Sequence, residues 1–285
     1  MNKGYLFLVL ASLCYASMGV LVKVLSIDTG PYLQTFLRLV VSLAITALIV
    51  LARRKPLLLK HPKDYLLMFF MGSIGFGLQI ILYTLAIYHN TISNTLFVMS
   101  AYPIVTAILA YFVLKEHITK RLWVAFILLA CALFLLFDPT DLGKYLLGNT
   151  YALGVACTFA FYVICSRIMS KRGNSAETIT LWSVGLAVLV SGLATQAFET
   201  ITLDISTQSI LFLVLFGLLN ASAFNFINKG FSTVNASVGT IVLLLEPIIG
   251  SLLGLFFFQE IPSLLFMLGA IIMIIAIYLA TFKLD

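Results

Sequence analysis

Charge is scarce in this sequence. Asp, Glu, Lys and Arg make up 10% of its 285 residues, against about 25% in a water-soluble domain. So few ionic groups cannot clothe a soluble globule whose hydrophobic fraction is 62%. Cysteine is also sparse: Cys14, Cys131, Cys157 and Cys165 all fall in apolar stretches, with no disulfide framework and no metal-ligand spacing. The three histidines, His61, His89 and His117, form no His–Glu pair at helical spacing. No GxxxxGK[ST] loop is present, which argues against nucleotide hydrolysis. Neither a cofactor nor a metal is expected.

Long apolar runs are abundant. Crossing hydrocarbon takes about 20 apolar residues as a helix, and ten stretches qualify: 4–25, 31–52, 64–88, 92–113, 119–137, 148–168, 176–197, 208–231, 234–257 and 262–282. They are too uniformly apolar for the strands of an outer-membrane barrel, and lipid leaves helices as the way to satisfy the backbone. The first stretch is too long for the core of a signal peptide and is read as a retained helix.

Basic residues set the orientation. With the amino terminus inside, Lys3, Arg53, Arg54, Lys55, Lys60, Lys63, Lys115, Lys120, Arg121, Arg167, Lys171, Arg172, Lys229 and Lys283 are internal. Only Lys23 and Lys144 are external, and Arg38 lies within a helix. That bias places both termini in the cytoplasm. The net charge of +6 is therefore topological, and no nucleic-acid partner is expected. The lipid bilayer is the solvent, with a bacterial or archaeal cell membrane as the expected location.

The chain repeats itself at an offset of 144. "AYPIVTAILAYFVLKE" (101–116) lies without a gap over "LEPIIGSLLGLFFFQE" (245–260), aligning Pro103 with Pro247 and Glu116 with Glu260. An odd number of helices per unit inverts the second copy. The expected fold is all-α, ten transmembrane helices in two inverted five-helix repeats, 1–140 and 145–285. Inverted repeats provide a route to alternating access around a central site. These motifs, with the small, aromatic first helices "ASLCYASMGVLVK" and "VACTFAFYVICSR", resemble a tandem pair of EamA domains of the drug/metabolite transporter superfamily. The resemblance implies a ten-helix basket around a cavity, with helices five and ten at the periphery, and a family that includes exporters of amino acids and other metabolites.

Certain residues are expected to carry transport. Pro103 and Pro247 fall inside helices and should free the carbonyls of Met99 and Leu243, as a hinge or as a ligand site. Glu246 is the one acid in the hydrocarbon, costly there unless neutral, paired or wet, and suited to holding a proton. Arg38 is the one intramembrane cation, either a clamp for a substrate anion or a side chain snorkelling outward. Gln79, Tyr83, Asn94, Tyr102, Tyr162 and Asn225 complete the candidate substrate set. The amides and phenols suit a polar or zwitterionic molecule, or serve as interhelical glue. Gly250 and Gly254 read as a packing motif, and Glu116 and Glu260 as anchors near the start of the following helix.

The expected activity is secondary transport of a small organic metabolite, an amino acid or related compound, with export favoured and protons as a candidate coupling ion. The alternative is a flippase for a lipid or lipid-linked carrier. Less favoured is a membrane enzyme acting on such a substrate, because clustered acids or histidines are missing.

Overall fold

The computed structural model describes residues 3–26, 29–135, 145–199, 206–259, 261 and 264–281, and all regular structure among them is helical. The helices are α1 (Lys3–Leu25), α2 (Pro31–Ala52), α3 (Pro62–Tyr88), α4 (Ile92–Met99 then Tyr102–Leu109, continued by the π-helical Ala110–Leu114), α5 (Lys120–Leu135), α6 (Leu146–Lys171), α7 (Ala176–Phe198), α8 (Thr207–Thr233), α9 (Ala236–Val242 then Leu245–Phe258) and α10 (Leu264–Thr281). Nine are long and apolar enough to cross a bilayer. The tenth, α5, is described over 16 residues. Glu260 and Pro262 lie outside the described residues. The face where α1 begins and α10 ends is called the terminal face below.

Packing crosses the repeats. α1 lies along α8, and α2 along α7. α1 packs on the second half of α9, and α6 on the second half of α4, in the same relation with the repeats exchanged. α5 and α10 pack against each other, and α10 buries only Gly269, Met273 and Ala276. A helix that apolar with one narrow buried stripe has lipid as its solvent. The offset of 144 also appears in the backbone. Lys115 and Gln259 adopt left-handed conformations, at φ 53° and 54°, and end α4 and α9.

The proline helices are interrupted, which corrects the expectation for one carbonyl. α4 breaks at residues 100–101 and α9 at 243–244. Both prolines thus sit in the first turn of a second half-helix, where a missing N–H leaves no intrahelical acceptor wanting. The Leu243 carbonyl is not free: the chain tightens, and it accepts from Glu246 N–H at 2.9 Å. On the other strand of the crossing, Ser100 Oγ donates to the Leu96 carbonyl at 2.6 Å. The first half of α4 packs on the second half of α9, and the first half of α9 on the second half of α4. Gly250 sits against Leu96 at this crossing.

Glycine also sets the approach of α3. Its middle, Met71–Leu78, widens into a π-helical stretch rich in glycine and lies on α6 and α7. A Cβ on Gly75 would stand 3.1 Å from Tyr162 Cα, so any side chain here would force the two backbones a few tenths of an ångström apart, and glycine suits the close approach. Gly75→Val should push α3 from α6 and lower the melting point in detergent, with a cost of about 1–3 kcal/mol for overpacking. Tryptophan fluorescence would follow the transition, and an unchanged melt would show that this close approach is dispensable.

Candidate functional site

The middle of the bundle holds a narrow cavity of about 10 Å³, room for about one water molecule in this state. It is lined by Tyr15 and Met18 from α1, Arg38 from α2, Gln79, Ile80 and Tyr83 from α3, and Met99 at the break of α4. Phe159 from α6, Asn220 from α8 and Glu246 at the break of α9 complete it. None of these side chains is more than 6% exposed, so the cavity lies inside the protein rather than on its lipid surface.

Arg38 does not snorkel. It is 0% exposed, and Phe216 lies under its guanidinium carbon with 4.1 Å to the ring centroid. Its Nη2 donates to Thr84 Oγ1 at 2.7 Å and to the Ile80 carbonyl at 3.4 Å. Nε and Nη1 have no hydrogen-bond partner, and no carboxylate lies within 4.0 Å of Arg38 among the described residues. Reaching an interface would require abandoning Thr84 and the ring of Phe216. Gly217 of α8 would carry its Cβ 3.0 Å from the Arg38 carbonyl, which presses α8 onto α2 here.

Glu246 is likewise buried, at 4% exposure, with Oε1 unpaired. Asn220 is oriented by Ser42, whose Oγ donates to Asn220 Oδ1 at 3.3 Å, leaving Nδ2 without a partner. Tyr15 OH, Tyr83 OH and Gln79 Oε1 are unpaired as well. Buried polar atoms are nearly always hydrogen-bonded, so this concentration of unpaired ones around one cavity marks it as the candidate site.

Four of the eight candidate substrate residues line the cavity: Arg38, Gln79, Tyr83 and Glu246. Tyr102 stands behind it, its ring edge-on to Phe159 at 5.0 Å. Tyr162 is tied into a satisfied network, donating to Asn228 Oδ1 at 3.1 Å while Asn228 Nδ2 donates to Thr180 Oγ1 at 2.8 Å. Asn94 lies near the end of the bundle away from the terminal face, bonded to Asn90 at 2.9 Å and Asn149 at 3.1 Å. Asn225 is buried outside the lining. Five residues separate it from Asn220, and at 3.6 residues per turn the two point about 140° apart. Tyr15 and Asn220 join the cavity; both are polar residues near the middle of a helix, but one sequence gives no sign of which stripe faces inward.

The repeat mates of the lining explain why the cavity is one-sided. At 144 residues' distance, Met18, Ile80 and Asn220 correspond to Tyr162, Phe224 and Phe76. Those three rings fill the mirrored volume: Phe76 and Phe224 centroids are 3.9 Å apart, Tyr162 and Phe224 5.3 Å, and Phe76 and Tyr162 5.7 Å. The mate of Arg38, Trp182, instead donates its indole N–H to the Leu57 carbonyl at 2.8 Å.

Beyond the aromatic cluster, the terminal face is bolted. Glu116 accepts from Ala236 N–H at 3.1 Å, Ser237 N–H at 3.3 Å and Ser237 Oγ at 3.1 Å. It therefore caps the start of α9, not of the α5 that follows it, because the left-handed turn at Lys115 redirects the chain. Arg167 Nε is 3.9 Å from Glu116 and Arg167 Nη1 donates to the Phe231 carbonyl at 2.7 Å. Four helices, α4, α6, α8 and α9, are thus joined at one point.

A polar cavity at the crossing of two interrupted helices, in a bundle of two inverted repeats, is an architecture that membrane transporters use. The EamA-like transporter family model matches residues 2–138 and again 146–282. The chain belongs to the EamA-like transporter family. It is similar to two proteins of Bacillus subtilis (strain 168), both described as uncharacterized transporters. It is 28% identical to YwfM over 186 residues, covering 65% of this chain and 62% of YwfM. It is 28% identical to YdfC over 254 residues, covering 86% of this chain and 79% of YdfC. A solved structure titled "Crystal structure of protein" superposes with a TM-score of 0.80 at 18% identity, covering 98% of this chain and 97% of that one, which supports the fold alone.

The bolt has a direct test. Glu116→Ala removes the acceptor at the start of α9, a cap worth about 1 kcal/mol. In a background without the native cysteines, Ser166→Cys should then react with a maleimide applied from the terminal face, whereas it should be protected with Glu116 present. Equal protection in both would mean that the ion pair and cap do not hold this face shut.

Proposed function

We propose that the protein is a secondary transporter that moves a small polar organic metabolite, an amino acid or related compound, across the cell membrane by alternating access. The observation that carries this reading is the cavity itself: unpaired donors and acceptors from both repeats, gathered at the breaks of α4 and α9. Enclosure of the lining supports a water-soluble substrate over a lipid. The excess of Lys and Arg near the terminal face makes that face cytoplasmic, and the two repeats, 1–140 and 145–285, are the bodies that rock.

On this reading the state described is closed to the cytoplasm by two layers, the Phe76–Tyr162–Phe224 cluster and the Glu116–Arg167 bolt. Rocking would exchange the cluster and the cavity between the two sides of the pseudo-symmetry axis. The breaks at Pro103 and Pro247 suit hinges, since short interrupted segments absorb a backbone change that a continuous helix resists. Export follows if inward proton movement drives the exchange. Glu246 is the acid placed to hold that proton, in a cavity it shares with Arg38, Tyr15, Tyr83 and Gln79.

Protein in liposomes should show counterflow of a labelled neutral amino acid, and Glu246→Gln should abolish accumulation driven by a pH gradient while leaving counterflow measurable. Accumulation that still follows the gradient would remove the proton from Glu246. Pro103→Ala and Pro247→Ala should each slow exchange about tenfold, or about 1.4 kcal/mol on the barrier, with melting points near that of the parent. Parental rates in both would make the breaks static.

A further inference from the structure

The unpaired atoms of the cavity fall into two poles of opposite character. Arg38 Nε and Nη1 and Asn220 Nδ2 are donors without acceptors. They belong to α2 and α8, and Ser42 ties the pair together by holding the Asn220 carbonyl oxygen. The acceptors without donors are Glu246 Oε1 on α9 and Gln79 Oε1 on α3. Tyr15 and Tyr83 hydroxyls, able to donate or accept, are unpaired too. The rest of the lining is Met18, Ile80, Met99 and Phe159, and among the described residues no further charged side chain lines the cavity.

The two ionisable groups do not pair. Arg38 and Glu246 make no ion pair within 4.0 Å, although each is buried in a medium where an isolated charge is costly. If the two served packing alone, the arrangement favoured by electrostatics would be direct contact. They are instead held apart, Arg38 by Thr84 and Phe216, Glu246 by the tightened turn of α9.

We infer that Arg38 and Glu246 form a two-point clamp that takes a zwitterion, its carboxylate on Arg38 and Asn220 and its ammonium on Glu246 and Gln79, with an uncharged apolar side chain against Met18, Ile80, Met99 and Phe159. The inference rests on the transporter reading above and deepens it by fixing which charges the substrate carries and which end meets which helix. A lone amine leaves Arg38 unpaired, and a lone acid leaves Glu246 unpaired. An additional charge on the side chain meets only sulfur, methyl groups and a ring. Discrimination by buried groups left unpaired is the strong kind of specificity. The repeat mates of the clamp, Trp182 and Tyr102, carry no charge, so the pseudo-symmetry contributes the cavity and its departure contributes the selectivity.

The test uses the purified full chain with defined probes: alanine, leucine, methionine and phenylalanine, each beside the amine lacking its carboxylate and the acid lacking its ammonium. Binding is read by calorimetry and by thermal shift. At least one of the four zwitterions should bind, and both of its singly charged analogues should bind at least about tenfold more weakly. Arg38→Gln should erase the difference between that zwitterion and its amine while keeping the difference from its acid. Glu246→Gln should do the converse, so either variant alone suffices if the other fails to fold. Equal binding of a zwitterion and an analogue by the parent protein overturns the clamp. So does a variant that discriminates as the parent does, or binding by none of the four zwitterions. Flux of some other solute alongside such a result would leave the transporter reading standing. Selective zwitterion binding without flux in liposomes would instead sink the transporter reading and keep the clamp.

Discussion

In hydrocarbon an ionised side chain needs a partner, a path to water or a reason to be neutral, and among the described residues neither Arg38 nor Glu246 has an ion-pair partner. Much of the central architecture accommodates that fact. Thr84 and the ring of Phe216 hold the guanidinium in place, and Gly217 brings α8 close enough for Asn220 to stand beside it. The tight turn before Pro247 fixes the carboxylate at the break of α9 rather than on an uninterrupted helix face. A cavity between these two groups gives the bilayer-facing shell, α5 and α10 among it, something to insulate.

The interrupted helices supply the second half of the account. A broken backbone in lipid survives only where protein covers it, and here each break lies at the crossing of α4 with α9. The crossing joins half-helices of opposite repeats, so displacement of one half is felt directly by its partner. Glu116 makes the link explicit: the residue that closes α4 caps the first turn of α9. On the proposed mechanism, a conformational change that releases this cap would free α9 from α4, and with it Glu246, connecting gate and site through one short helix.

Much of the fold was legible in the sequence because lipid imposes simple rules. Length and apolarity delimit helices, an offset of 144 reveals the repeats, and prolines announce the breaks. The details that went unread are those that depend on rotation and on distant packing. Asn225 and Asn220 look alike along the chain, yet helical geometry points only Asn220 into the cavity. Glu116 precedes α5 in sequence, and only the left-handed turn at Lys115 shows that its carboxylate serves α9. The snorkelling alternative for Arg38 was sound from its depth alone; the ring of Phe216, 178 residues away, decides against it. Local periodicity carries none of these relations.

The central claim is that two inverted repeats rock about an enclosed site, closing one face as the other opens. It is tested most directly by electron–electron spin distances in lipid nanodiscs. One pair of labels at Lys115 and Ser232 would report on the terminal face, and another at His89 and Gln208 on the opposite face; all four side chains are exposed. Distance distributions taken with Glu116 intact and with Glu116→Ala should move reciprocally, the terminal pair lengthening as the opposite pair shortens. Distributions that stay fixed, or two faces that widen together, would contradict alternating access by this bundle.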